Sequence, residues 1–406
     1  MITPQVALPP ATLDPAAVSR LFAALGPDHA RYIGGWVRDT LLGLAPDDVD
    51  LATIHHPDTV VARLAAGGVP YWTTPSGLAH GTVTAMLVER PVEITTLRRD
   101  LATDGRHARV AFTDDWHADA ARRDFTINAL SADPATGLVR DYFGGLDDLA
   151  AGRVRFIGDP LVRIAEDHLR ILRFFRFHAR FGRGPADAAA LAACTARAND
   201  LMALSRERIA SELLKLLALP DPVATIALMI DGGLFVPVLP EITAAALPTL
   251  AALATAEAAA DIAPDGLRRL AALLPVDPVR AEAIARRLKL SKAQTLRLRL
   301  AATRDGPETP AALAYRIRLE PAIDRLLLTG GDARALIGWE RPALGLSGGD
   351  LIAMGLPPGP LVAATLQRVE RAWSDAGFPD DGANAIARAA VAAALADGVQ
   401  PARSAQ

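Results

Sequence analysis

A chain of 406 residues is too long for one ordinary hydrophobic core and predicts roughly two to four packed units. Its formal net charge of −3 excludes a globally basic, nucleic-acid-coating protein, so any basic footprint must be local. The single cysteine, Cys194, excludes an intrachain disulfide or a cysteine-based zinc site and fits a reducing, cytoplasmic setting.

In residues 1 to about 28, Asp14-Pro15 predicts a helix start, with Asp14 as N-cap and proline at the first position. Early prolines without a basic or apolar leader argue against a secretory signal. Arg31-Tyr32-Ile33 reads as a short strand entering a turn at Gly34-Gly35, with Thr40 to Leu44 a helical turn beyond it. Lacking Cβ atoms, the glycines let backbone N–H groups approach a bulky anion. Asp48 and Asp50 follow on a second strand that continues through Leu51-Ala52-Thr53. Period-two geometry sends both carboxylates to one face. Held together they repel, and divalent metal bridging a triphosphate is a common remedy in phosphoryl and nucleotidyl transfer.

Thr82 to Val88 and Val92 to Leu97 alternate as paired strands around a tight Glu89-Arg90-Pro91 turn. Glu93 is either a third carboxylate beside Asp48 and Asp50 or a solvated edge-strand glutamate. His80 has no second His or Cys at ligand spacing and reads as positional. Arg99 to Ala121 is polar and charged and reads as a mobile loop. Next comes Arg122-Arg123-Asp124-Phe125-Thr126-Ile127-Asn128. The spacing of four predicts a helix with Asp124 and Asn128 on one face. Two arginines at its start would oppose the macrodipole unless an anionic ligand sits there.

After Gly152 the periodicity is helical almost throughout, so the chain changes class once, near residues 144–160. Leu161 to Gly184 carries six arginines over an apolar stripe, the local basic element that the net charge hides. Within it Asp167 and Arg170 are three apart and read as sharing a helix face. Such a pair is either a surface salt bridge or a base reader. An aspartate accepts from an exocyclic amino group and an arginine donates to a ring nitrogen, a combination that fits cytosine and adenine and rejects uracil and guanine. Ser205 is a plausible N-cap for the next helix, whose Arg206 and Arg208 could meet nucleotide or primer. Residues 225–345 show no legible chemistry. Pro360 opens the last long helix, and Pro401 to Gln406 should fray. Apolar stretches such as Ile242 to Ala256 are too short to span a bilayer.

Gly34 to Gly43 followed by Asp48 to Thr53 closely resembles the head motif of class II tRNA nucleotidyltransferases. That family, within the DNA polymerase β-like superfamily, comprises bacterial and eukaryotic CCA-adding enzymes and bacterial poly(A) polymerases. Glu93 to Arg98, Arg122 to Leu130, Glu166 to Phe177 and Asp350 to Pro360 resemble further family segments, with His168 where relatives often have proline. The resemblance implies an α+β fold: a polymerase β-like head with a mixed sheet over 1–150, then all-α neck (151–220) and body and tail (221–406). It implies catalysis by Asp48, Asp50 and Glu93, with Mg²⁺ held by Asp48 and Asp50. Gly34, Gly35, Arg38, Arg122, Arg123, Asp124 and Asn128 would orient ribose and triphosphate. Asp167, Arg170, Arg173 and Arg176 would meet the base and nucleotide. The expected substrates are CTP, ATP and tRNA, with no membrane and no obligate protein partner. The favoured activity is addition of C, C and A to the tRNA 3′ end. Poly(A) polymerase is the alternative, and a non-catalytic RNA-binding scaffold a further one.

Overall fold

The computed structural model describes residues 14–46, 48–88, 90–103, 108–304 and 308–397, and only the backbone of 100–103 and 108–110. The chain divides into two compact units. One is Met1–Leu216 with Ala224–Pro240, and the other is Leu217–Val223 with Glu241–Gln406.

In the first unit, α1 (Pro15–Leu25) starts where the sequence places it, Asp14 accepting from the Ala17 N–H at 2.9 Å; residues 1–13 lie outside the described residues. The strands are β1 (Ala30–Ile33), β2 (Val49–Thr53), β3 (Tyr71–Trp72), β4 (Thr82–Leu87) and β5 (Arg90–Thr96). They continue with β6 (Arg98–Thr103), β7 (Ala108–Phe112), β8 (Ser131–Ala132) and β9 (Val139–Arg140). Between them run α2 (Gly35–Leu41), α3 (Pro57–Ala66), α4 (Pro75–Ala79) and α5 (Trp116–Ala121).

Among the described residues, seven strands form one mixed sheet, ordered β3-β4-β5-β2-β1-β8-β9, with β2 and β5 parallel and the other pairs antiparallel. One face is apolar: Val49, Leu51, Val83, Ala85, Val92 and Ile94 are buried. Leu21 and Leu25 of α1 and Val60 and Leu64 of α3 are buried as well, and each such side chain contributes about 1.5–3 kcal/mol. The alternating burial of β4 and β5 shows the other face to be more open.

Several sequence expectations need correction here. The helix after the glycines begins at Gly35 rather than Thr40. Arg90 and Pro91 already belong to β5, paired with Leu87 and Met86, so the turn is shorter than Glu89-Arg90-Pro91; Glu89 itself lies outside the described residues. The stretch 99–121 is no loop. It holds the β6–β7 hairpin and α5, whose N-cap Asp115 accepts from the N–H groups of His117 and Ala118. The hairpin stands outside the main sheet, as a two-stranded sheet of its own.

Helices then take over with α6 (Gly145–Ala151), α7 (Pro160–Glu166), α8 (Leu169–Phe181), α9 (Ala188–Ala196), α10 (Arg206–Leu217) and α11 (Val223–Asp231). The second unit contains α12 (Leu247–Ala260), α13 (Gly266–Leu273), α14 (Pro278–Arg287), α15 (Lys292–Ala302), α16 (Pro310–Ile317) and α17 (Leu319–Thr329). It closes with α18 (Gly348–Ala353), α19 (Pro360–Asp375) and α20 (Ala383–Asp397). Pro360 does open a long helix, but α20 follows it; Pro401 to Gln406 lie outside the described residues. Leu351, Leu356, Val369, Ala387 and Val391 make a small core of their own across α18–α20.

The stretch around 257–324 is not featureless. Glu257 accepts from Arg268 at 2.7 Å and from Arg269 at 2.8 Å, and Asp324 accepts from Arg268 at 2.8 Å and from Arg297 at 2.6 Å. Glu257, Asp324 and Arg269 are each 1% exposed. Among the described residues no helix is long and apolar enough to cross a membrane.

Candidate active site

The strand–turn–helix around Gly34 fixes the start of the site. Gly34 has φ +64°, a left-handed conformation that glycine alone adopts without strain, and its N–H donates to the Leu130 carbonyl at 3.0 Å. A Cβ there would lie 2.7 Å from Nη1 of Arg123. That guanidinium end could shift aside, so it is the positive φ that asks for glycine at this position.

Asp50 lies on β2 directly opposite Glu93 of the parallel strand β5. Asp48 sits one residue ahead of β2, exposed, rather than on the strand as expected. Burial pushes the Asp50 carboxyl above the usual carboxylate range; the charges of Glu93 and Asp48 add to the rise, and Arg123 opposes it. Burial and like charge together disfavour the ionised form of this side chain. Among the described residues no three His, Cys, Asp or Glu side chains gather closely enough to cage an ion. Asp48, Asp50 and Glu93 offer carboxylate oxygens, donors of the kind a hard divalent cation such as Mg²⁺ takes.

The Arg122–Asn128 segment differs from its expectation. Arg122 is the C-cap of α5, and only Thr126–Asn128 form a single 3₁₀ turn. The arginines thus stand where the helix macrodipole favours positive charge, so the dipole provides no argument for an anionic ligand. Asp124 and Asn128 still meet, Asn128 donating to Asp124 at 2.9 Å. Burial would raise the Asp124 carboxyl, but the Arg173 guanidinium, with the Asn128 amide and the Phe125 N–H, outweighs it and holds it low. Arg173 donates to it from Nε at 2.7 Å.

Arg38 is buried at 5% exposure. It donates to Asn128 and to Asp39, and its guanidinium lies 4.3 Å from the ring centre of Phe181. Burial draws its pKa down, against the Asp39 carboxylate. Arg38 therefore positions Asn128 instead of facing open space. Arg176 likewise donates to the buried Glu212 at 2.6 Å and stacks over Phe177.

Asp167 and Arg170 do not share a helix. α7 ends at Glu166, Asp167 is extended with φ −152° and ψ 107°, and α8 starts after His168. The five-residue step from Ile164 to Leu169 in the apolar stripe is the trace that this break leaves in the sequence. Asp167 accepts from Arg208 at 2.9 and 3.1 Å, while Arg170 donates to Glu166, to the Arg163 carbonyl and to the Arg122 carbonyl at 3.1 Å. Arg163 holds the Arg123 carbonyl in the same way. Sequence reasoning gave Arg163 no role and did not pair Arg208 with Asp167; the dense arginine count of this segment was the signal.

Comparison with known proteins gives a consistent picture. Residues 30–155 match the family model of the poly A polymerase head domain, and residues 187–246 match one described as a probable RNA and SrmB-binding site of polymerase A. The mitochondrial CCA tRNA nucleotidyltransferase 1 of Mus musculus is 35% identical over 86% of this chain and 83% of its own length. That of Danio rerio is 46% identical over 46% of this chain, and the match spans 43% of its length. The crystal structure of the Bacillus stearothermophilus CCA-adding enzyme in complex with CTP superimposes with a TM-score of 0.73 at 26% identity, covering 94% of this chain and 97% of that one.

Proposed function

The chain belongs to the CCA-adding tRNA nucleotidyltransferase family, and from that premise we propose that it adds C, C and A to the tRNA 3′ end from CTP and ATP, releasing pyrophosphate. The observation that carries this reading is the in-register pair Asp50–Glu93, with the Asp50 carboxyl raised by burial and by the charges of Glu93 and Asp48. A non-catalytic RNA scaffold has no use for such repulsion. In this reading residues 1–150 are the catalytic head, 151–220 the neck and 221–406 the RNA-holding body and tail. A reducing compartment, the cytoplasm, suits the buried free thiol of Cys194.

Asp48 and Asp50, with Glu93 beside them, would hold Mg²⁺. When bound, Mg²⁺ assists loss of the primer 3′-hydroxyl proton and neutralises charge on the triphosphate as pyrophosphate departs. Arg122, Arg123 and Arg173 keep partly exposed guanidinium groups for triphosphate and ribose oxygens, while Asp124, Asn128 and Arg38 keep that segment in shape.

Asp167 would accept from the amino group of cytosine or adenine and Arg170 would donate to the adjacent ring nitrogen. Asp167→Ala is then expected to let UTP and GTP compete better by roughly 5- to 150-fold, the worth of one bidentate contact. Single-turnover incorporation of each nucleotide measures this, and a uniform fall for all four would make Asp167 merely the partner of Arg208.

The activity itself is tested on a tRNA ending at its discriminator base, with CTP and ATP, by sequencing the products. Addition of C, C, A and then arrest is the expected result. Long A-tracts on unrelated RNA without use of CTP would replace the reading with poly(A) polymerase.

A further inference from the structure

The open face of the head sheet carries more than the carboxylates. Strand register places Trp72 opposite Thr84, Thr84 opposite Glu93 and Glu93 opposite Asp50, one unbroken row across β3, β4, β5 and β2. Directly opposed residues project from the same side of a sheet, so Trp72 stands on the side of the carboxylates. The side chains between them, with Thr82 and Thr95 one step along, are hydroxyls or the Glu93 carboxylate.

Trp72 is 42% exposed, whereas Trp36 and Trp373 are 3% and 4% exposed. No aromatic or cationic side chain among the described residues stacks on it. At the usual strand spacing the row sets it about 14 Å from Asp50, within a few nucleotides of a reacting 3′ end.

We propose that Trp72 is a stacking platform for an unpaired base just upstream of the RNA 3′-hydroxyl. This rests on the nucleotidyltransferase reading above and adds a primer-binding residue to it. The chemistry suits the task. A primer extended by C, C and A ends first in its discriminator base and then in cytosine, so hydrogen-bond readout of one base edge would fail at one step or another. Stacking tolerates all of them, since every base has a π-face. The threonines between Trp72 and Glu93 add no negative charge to repel the backbone.

The test uses the full chain with Trp72→Ala and Trp72→Phe, on a tRNA lacking its 3′ end. Trp72→Ala is expected to raise KM for the RNA by roughly 5- to 150-fold, the worth of one stacked base, with KM for CTP unchanged. Trp72→Phe retains most of the affinity. Titrating wild type with the same RNA, without nucleotides, quenches tryptophan fluorescence, and Trp72→Phe removes that quenching. An unchanged RNA KM in a folded Trp72→Ala protein, an equal rise in KM for CTP, or quenching that persists in Trp72→Phe overturns the proposal. If Trp72→Ala does not fold, the phenylalanine variant and the quenching decide. Failure of wild type to extend any RNA would instead defeat the nucleotidyltransferase reading, leaving the quenching to report on Trp72.

Discussion

Asp50→Asn is expected to abolish nucleotide addition and, in the same protein, to raise the metal-free melting temperature. The activity loss should be at least about 10²- to 10³-fold, the cost of removing one preorganised contact to developing charge, with tRNA affinity nearly intact. The stability gain follows from the sign of the pKa change. The folded-state carboxyl is raised by burial, Glu93 and Asp48, so the folded protein binds more protons than the unfolded chain. Stability therefore falls as pH climbs through the unfolded and then the folded pKa, and at neutral pH the ionised group is a burden that asparagine lifts. Adding Mg²⁺ should raise the melting temperature of wild type more than that of the variant. A variant that adds nucleotides normally, or melts lower without metal, would count against crowded carboxylates as the centre of the chemistry.

Glu257→Gln is the stability counterpart, expected to cost about 3–5 kcal/mol by leaving buried guanidinium charge uncompensated. Arg268 and Arg269 both rely on that carboxylate, and Arg269 also donates to the Leu217 carbonyl at 2.9 Å. The exposed Arg280, paired with Asp277 at 3.4 Å, supplies the contrast: Arg280→Gln should cost less than about 1 kcal/mol. Urea unfolding of both variants compares the two. Equal, small losses would mean that Glu257 sits in a wetter environment than its 1% exposure implies.

What was legible in the sequence is what alternation and turn chemistry encode. Val92 to Leu97 alternates strictly enough to place Glu93 on the open face, and the strand before Gly34-Gly35 gave the site its position. Spacing misled where the backbone departs from a helix. Asp124 and Asn128 are four apart and do meet, yet across a 3₁₀ turn, because α5 had already ended at Arg122. The break at Asp167 leaves only one trace in the apolar stripe, a five-residue step from Ile164 to Leu169 where a continuous helix would have three or four. The buried ion pairs of Arg268, Arg269 and Glu257 left no sign in a stretch without legible chemistry, since they depend on α15 and α17 arriving from farther along the chain.

The two carbonyls gripped by Arg170 and Arg163, those of Arg122 and Arg123, would give the proposed base choice a kinetic dimension. For Arg170 to turn its fork toward a base, it must release Glu166 and the Arg122 carbonyl, forfeiting charge-assisted hydrogen bonds of about 1.5–3 kcal/mol each. A base offering the right ring acceptor replaces those bonds; a wrong one does not. The same movement would slacken the segment that carries Arg122 and Arg123, the side chains proposed to meet the triphosphate. In the proposed reading, base recognition by Arg170 would then be coupled to the freedom of the phosphate-facing arginines, and a nucleotide with the wrong ring edge would leave the Arg122 carbonyl gripped.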